Sequence, residues 1–174
     1  MTWQVDPTHT SIEFRAKHMM VSTVKGIFQS YNIDAEINED DLTASKGTVE
    51  IDVASVNSGS KDRDDHLRSP DFFDAEKYPK MRFASRKIER TGDGEYRLVG
   101  DLTIRDVTKE VVLEGEAHGP FEDPWGAKRV ALSAEGQINR KDWGLTWNVP
   151  LGLQGAVVGD TIKLSIDAEL VKSA

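Results

Sequence analysis

Apolar and polar residues alternate along most of this chain with a period of two, the spacing of strands that bury one face. In Ser11–His18, Ile12, Phe14 and Ala16 share one face while Glu13, Arg15 and Lys17 share the other. The same alternation runs through Gly47–Val53 (Val49, Ile51, Val53) and Lys80–Ile88 (Met81, Phe83). It continues through Glu95–Ile104 (Tyr96, Leu98, Gly100, Leu102, Ile104) and Lys109–Gly119 (Val111, Leu113, Gly115, Ala117). Arg129–Asn139 (Val130, Leu132, Ala134, Gly136, Ile138) and Thr161–Lys172 (Ile162, Leu164, Ile166, Ala168, Leu170) complete the series. Turn-forming residues separate these runs, and Gly92-Asp93-Gly94 reads as a hairpin connection. Roughly eight strands with one buried face each predict an all-β antiparallel barrel or sandwich.

Two places break the alternation. In Gly26–Ile37, Phe28 lies on one phase and Tyr31, Ile33 and Ala35 on the other, so a bulge between them would restore a common face and bend the strand. In Ser55–Phe83, charge is dense and the period of two is lost. Ser60 is placed to cap a short helix running to about Arg68, with Asp62 near its positive end and Pro70 as its stop. Phe72, Phe73 and Tyr78 follow closely. These aromatics either cap a barrel end or form a lid through which a ligand enters. A further turn is expected within His18–Val24.

The inward phase contains many small residues: Ala16, Ala35, Gly100, Gly115, Ala117, Ala134, Gly136 and Ala168. In a barrel of about eight strands, small interior side chains leave room for one ligand. They fit equally a packed sandwich that bends at its glycines. Few charged residues fall on the inward phase, so a lumen here would accept hydrocarbon.

Composition narrows the chemistry. The 174 residues suit one domain, read as spanning 1–174, and 38% hydrophobic with 30% charged residues is the balance of a folded globular protein. A net charge of −8 without any Lys/Arg run argues against nucleic acid and against electrostatic docking on anionic membranes. There is no cysteine, hence no disulfide or thiolate site, and no apolar run long enough to span a bilayer. Met1–Pro7 shows neither a basic nor an apolar leader region, so a cytoplasmic location is expected, without stable membrane insertion.

Candidate reactive groups are sparse. Asp6 with His9, and Asp62, Asp65 and His66 on one helix face, are the conceivable metal ligands, but no HExxH-type pair occurs, and a solvated acidic turn is the simpler reading. Asp64 and Asp65 are adjacent and point apart on a helix, and no GxSxG elbow is present. Gly152-Leu153-Gln154-Gly155 lacks the Lys-Ser/Thr of a phosphate loop and reads as a strand connection. Trp143-Gly144-Leu145-Thr146-Trp147 forms an aromatic corner, serving either core packing or one mouth of the barrel. No catalytic residue, metal site or cofactor is assigned.

The runs DPTHTSIEFRAKHM, DRDDHLRSPDFFDAEKYPKMRF, GDLTIRDVTKEV and INRKDWG, with the Gly26-x-Phe28 step, resemble the YceI-like family of polyisoprenoid-binding proteins over nearly the whole chain. His9, Phe28, Asp65, His66, Leu67, Phe72, Phe73, Tyr78, Pro79, Phe83, Arg140 and Gly144 match positions that recur in it. The resemblance implies an eight-stranded lipocalin-like barrel with an apolar lumen. It also implies a long isoprenoid ligand of the prenyl quinone or prenyl phosphate type, often a homodimer, and no enzyme activity. On this reading Phe14, Ala16, Phe28, Tyr31, Val49, Ile51, Phe72, Phe73, Phe83, Leu98, Leu113, Leu132 and Ile166 line the lumen. His66 and Arg140 are the head-group candidates. The alternatives are an enzyme for a lipid-like substrate with His66 or His18 as general base, and a packed barrel that serves as a protein-interaction module.

Overall fold

A computed structural model of the chain describes residues 3–149 and 157–172. The connection expected at Gly152–Gly155 lies outside the described residues. The strands are β1 Gln4–Val5, β2 Ser11–His18, β3 Ser22–Phe28, β4 Tyr31–Glu36, β5 Lys46–Asp52 and β6 Val56–Asn57. One helix, α1 Lys61–Arg68, precedes β7 Lys80–Gly92, β8 Glu95–Ile104, β9 Val107–Glu122, β10 Lys128–Asn139 and β11 Val158–Lys172.

All strand pairs are antiparallel, in the order β4-β5-β7-β8-β9-β10-β11-β2-β3-β6, with β1 added on β11. The two ends of that order meet. β3 and β4 are two halves of one bent stave, and so are β5 and β6. Ile27 and Phe28 pair with Asn57 and Val56, and Tyr31 to Glu36 pair with Ile51 to Lys46. Between these ladders the Gln29 amide donates to the Ser55 carbonyl (3.2 Å) and the Asp52 amide to the Ser30 carbonyl (3.0 Å). Partner numbers sum to 84 in the first ladder and 82 in the second, so register slips by two residues at the 3-10 turn Val53–Ser55. The result is an eight-stave barrel, one of the two architectures the alternation allows and the one the family resemblance implies. The bend sits where the phase defect requires it, and Phe28 and Tyr31 both pack into the main core.

α1 begins where the capping residue predicts. Ser60 Oγ accepts from the Arg63 amide (3.3 Å), and Asp62 and Asp64 occupy the first turn, where the helix dipole favours anions. At the other end Arg68 donates to the carbonyls of Ala54 (2.9 Å) and Val56 (3.2 Å), fastening α1 to the β5–β6 corner. Asp64 corrects the reading of this helix as a solvated acidic turn. It is buried, and its carboxylate accepts from the Ser58 amide (2.8 Å) and hydroxyl (2.6 Å).

Neither β1, a two-residue strand paired to β11, nor a start of β3 as early as Ser22 is signalled by the alternation. Within the expected His18–Val24 turn, only Met19-Met20-Val21 connects β2 to β3. The apolar interior divides in two. A small cluster of Trp3, Val130 and Leu170, backed by Ile33, Ile37 and Leu42, fills one end of the barrel. The main cluster occupies the other end, beneath α1 and the segment that follows it.

Candidate functional site

Inside the main cluster lies a cavity of about 510 Å³, within the size range of small-molecule sites. Its walls are Ile12, Phe14 and Ala16 of β2, Val24 and Phe28 of β3, Val49 and Ile51 of β5, and Met81 and Phe83 of β7. They continue with Leu102 and Ile104 of β8, Val111 and Leu113 of β9, Ile138 of β10, and Ile162, Leu164 and Ile166 of β11. His66, Leu67, Phe72, Phe73, Leu145 and Trp147 cover it. The lining includes charged Lys17, Asp62 and Arg63, all exposed, which marks them as the rim of the opening.

The cover is a folded segment. After α1 the chain makes successive turns, with the Phe73 amide donating to the Leu67 carbonyl (2.9 Å), Ala75 to Arg68 (2.9 Å) and Tyr78 to Asp74 (2.8 Å). These turns drive Phe72 and Phe73 inward. The Phe73 ring meets Phe28 edge-on at 5.8 Å between centroids, and Phe72 meets Trp147 at 5.5 Å. Tyr78 stays half-buried outside the lining, with Lys77 over its ring, so of the three aromatics only Phe72 and Phe73 reach the lumen. The aromatic corner serves both proposed roles. Trp143 is core, its indole donating to the Leu102 carbonyl (2.9 Å), whereas Trp147 belongs to the mouth.

Most of the expected lumen residues come together here: Phe14, Ala16, Phe28, Val49, Ile51, Phe72, Phe73, Phe83, Leu113 and Ile166. Three do not. Tyr31 packs against the core outside the cavity, with its hydroxyl donating to the Thr10 carbonyl (3.2 Å). Leu98 lies on β8 four residues from Leu102, about 13 Å along the strand, and Leu132 lies on β10 six residues from Ile138, about 20 Å away. Leu98 faces Leu113 across the ladder and packs against the main cluster without lining the cavity, whereas Leu132 has the inward phase at a different level of its strand. Wall residues absent from the expectation, such as Met81, Leu102 and Ile162, share phase and strand with expected ones. The period of two marks a face and not a level along the barrel axis.

The small inward residues act differently from the expectation that they empty the lumen. Of them only Ala16 lines the cavity. A Cβ on Gly26 would sit 2.3 Å from Phe14 Cζ, and one on Gly100 would sit 2.4 Å from Phe83 Cζ. The two rings lie flat over the glycines of the neighbouring strands. They line the lumen without projecting across it.

Arg140, expected as a head-group partner, lines the cavity, but its donors are already engaged. Its side chain is 4% exposed, and its donors go to the carbonyls of Gly159 (3.0 Å), Leu145 (2.6 Å), Trp147 (2.9 Å) and Val158 (3.3 Å), with Asp160 at 3.6 Å. Burial pulls its pKa down, and Asp160 opposes the shift. It clamps the segment after β10 onto the start of β11. His66 lies at the cavity under different terms. Its Nε2 is 2.9 Å from Asp71 Oδ2, and its ring packs edge-on against Trp147 (4.4 Å) and Phe72 (5.0 Å).

The metal-ligand groups considered in the sequence are otherwise engaged. Asp65 pairs with Arg68 (3.0 Å) and Lys61 (3.4 Å), away from the His66–Asp71 pair. Asp6, His9 and Glu169 bring ligand atoms within 4.8 Å of one another, but Arg129 already donates to Asp6 (3.0 Å) and Glu169 (3.1 Å). A guanidinium therefore holds the position a cation would take. The Thr8 hydroxyl, then Arg129, hold the Asp6 carboxyl at a pKa of about 2.

The profile of the YceI-like domain matches residues 3–170. A UPF0312 protein of Staphylococcus epidermidis is 36% identical over 165 residues, 94% of either chain. The crystal structure of a Campylobacter jejuni YCEI protein aligns with a TM-score of 0.79 and 33% identity, over 91% of this chain and 90% of that one. A polyisoprenoid binding domain from Saccharophagus degradans, implicated in plant cell wall breakdown, shares the fold with a TM-score of 0.68 and 14% identity, over 100% of this chain and 99% of that one.

Proposed function

We propose that this chain, which belongs to the YceI-like domain family, binds the apolar tail of a long isoprenoid lipid in the barrel and sequesters or carries it without chemistry. The observation that carries this reading is the cavity wall. Ten strand and lid side chains that the sequence marks as inward enclose it, and nearly all of its surface is hydrocarbon. Such a wall gains about 0.8 kcal/mol per buried methylene and asks for no directional partner. The polyisoprenoid binding domain of the same fold supports an isoprenoid over a straight-chain lipid. A prenyl quinone or prenyl phosphate would leave its head at the rim, beside Lys17, Arg63 and His66. With Arg140 committed to backbone carbonyls, the head group meets the rim and not the interior.

A second reading rests on the His66–Asp71 pair, which gives a histidine at the cavity an orienting carboxylate and so meets one requirement of a general base. Native mass spectrometry of freshly purified protein, followed by organic extraction and loading with added prenyl lipids, tests the first reading. Recovery or tight uptake of a prenyl lipid is expected, and uptake of none would overturn it. His66→Ala separates the two readings: the carrier keeps its ligand, and no turnover of bound lipid is lost.

A further inference from the structure

Seven large apolar residues are exposed among the described residues, and four of them border the cavity mouth: Met19, Met20 and Val21 at 48, 57 and 80%, and Val149 at 45%. They form one rim. The Met19 amide donates to the Val157 carbonyl (2.9 Å) and the Val157 amide to the Val149 carbonyl (3.0 Å), while His18, Val24 and Val157 line the cavity. The hairpin tip breaks a local rule as well. Met19 and Met20 both sit in the left-handed region, at φ 53° and 66°, where glycine or asparagine is the unstrained choice. Backbone hydrogen bonds from the Met19 amide to Val157 (2.9 Å) and from the Val21 amide to His18 (3.3 Å) hold the turn, while both methionine side chains stay exposed, so side-chain packing does not demand these residues here.

The charge pattern selects the partner. Residues 14–33 are the longest stretch without an acid, and they carry Arg15, Lys17 and Lys25 in a chain of net charge −8. Glu13 lies between Lys25 (3.2 Å) and Arg15 (4.0 Å), so these two strands bring three cations against one acid, and at the mouth Lys17 and Arg63 stand against Asp62. Exposed aliphatic residues flanked by excess cations suit the interface of an anionic lipid bilayer.

We propose that the Met19–Val21 tip, with Val149, is a docking rim that seats the cavity mouth on an anionic bilayer, so that a lipid tail passes from membrane to barrel without crossing water. This deepens the lipid-binding reading and rests on it. The whole-chain charge, which argues against such docking, is an average that the tip does not share.

Flotation with phosphatidylcholine vesicles, with and without phosphatidylglycerol, tests the rim. The protein is expected to float with the phosphatidylglycerol vesicles, and added salt should weaken that association. Met20→Asn with Val21→Ser should reduce it about tenfold or more. The thermal midpoint should hold or rise, because Asn tolerates the left-handed backbone. No flotation of the unaltered protein, or equal flotation of the variant, overturns the proposal. So does a dimer in light scattering that the variant dissociates while the unaltered protein ignores vesicles, since a second copy then covers the rim. Prenyl-lipid retention is read separately by native mass spectrometry. A variant that loses vesicles but keeps lipid supports docking, and flotation without lipid uptake leaves docking standing while the lipid reading falls.

Discussion

Phe14 and Phe83 occupy flat positions on the lumen wall because Gly26 and Gly100 have no side chain beneath them. This single-atom freedom decides how much of the barrel is empty. Gly26→Ala should push the Phe14 ring into the lumen. We expect a loss of about 1–3 kcal/mol of stability in urea unfolding and a prenyl-lipid affinity roughly tenfold or more weaker, read by quenching of Trp147. Phe14→Leu in the same background should restore much of the affinity. Unchanged binding by Gly26→Ala would mean that the ring does not set the lumen's width. The sequence displayed Gly100 on the inward phase, but as a gap, and offered Gly26 only as part of the Gly26-x-Phe28 step. Their role as platforms depends on a ring from the adjacent strand, and cross-strand register is a tertiary fact.

At the scale of elements, α1 was legible because its signals are local: a Ser cap, acidic first-turn residues and a proline stop. The β3–β4 bend was legible for a similar reason, as a phase slip within one run. The helix also holds the lid in place through Asp64. Asp64→Ala leaves the Ser58 amide and hydroxyl without their acceptor. It should cost about 1–3 kcal/mol, confined to the cover. Hydrogen exchange of α1 amides and the rate of ligand release should both rise several-fold, while exchange in β8–β10 stays unchanged. Equal acceleration in the barrel strands would show instead that Asp64 supports the whole fold. The short β1 is not legible in the sequence because two residues carry no period, and their strand character comes from β11 alone.

Across the whole molecule the two ends differ in kind. One end is open and apolar. The other is tied by ion pairs, among them Glu39, which bridges Lys128 (2.8 Å) of β10 and Lys172 (2.7 Å) of β11. Lys128, then Lys172, hold the Glu39 pKa at about 2, below its ordinary 4.5. Asp6 is lowered likewise. With folded-state values below unfolded ones, the unfolded chain takes up protons first as pH falls. Stability from these pairs is therefore fully present above about pH 4.5 and is lost as pH drops toward 2. Glu39→Gln should flatten the fall in thermal midpoint over that window and leave the slope above pH 5 unchanged, a value set by roughly half a unit above the unfolded carboxyl. An unaltered acid slope would remove Glu39 from the account. The sequence by itself determined the all-β class, the eight staves, the bend, the helix and which face of each strand turns inward, because all of these follow from periods and caps within single segments. Only the tertiary structure decided which level of the barrel stays empty, that Tyr31, Leu98 and Leu132 lie off its wall, and that Arg140 is bound to carbonyls. Alternation repeats identically along a strand, whereas height, closure and the partners of a buried cation depend on residues far apart in the chain.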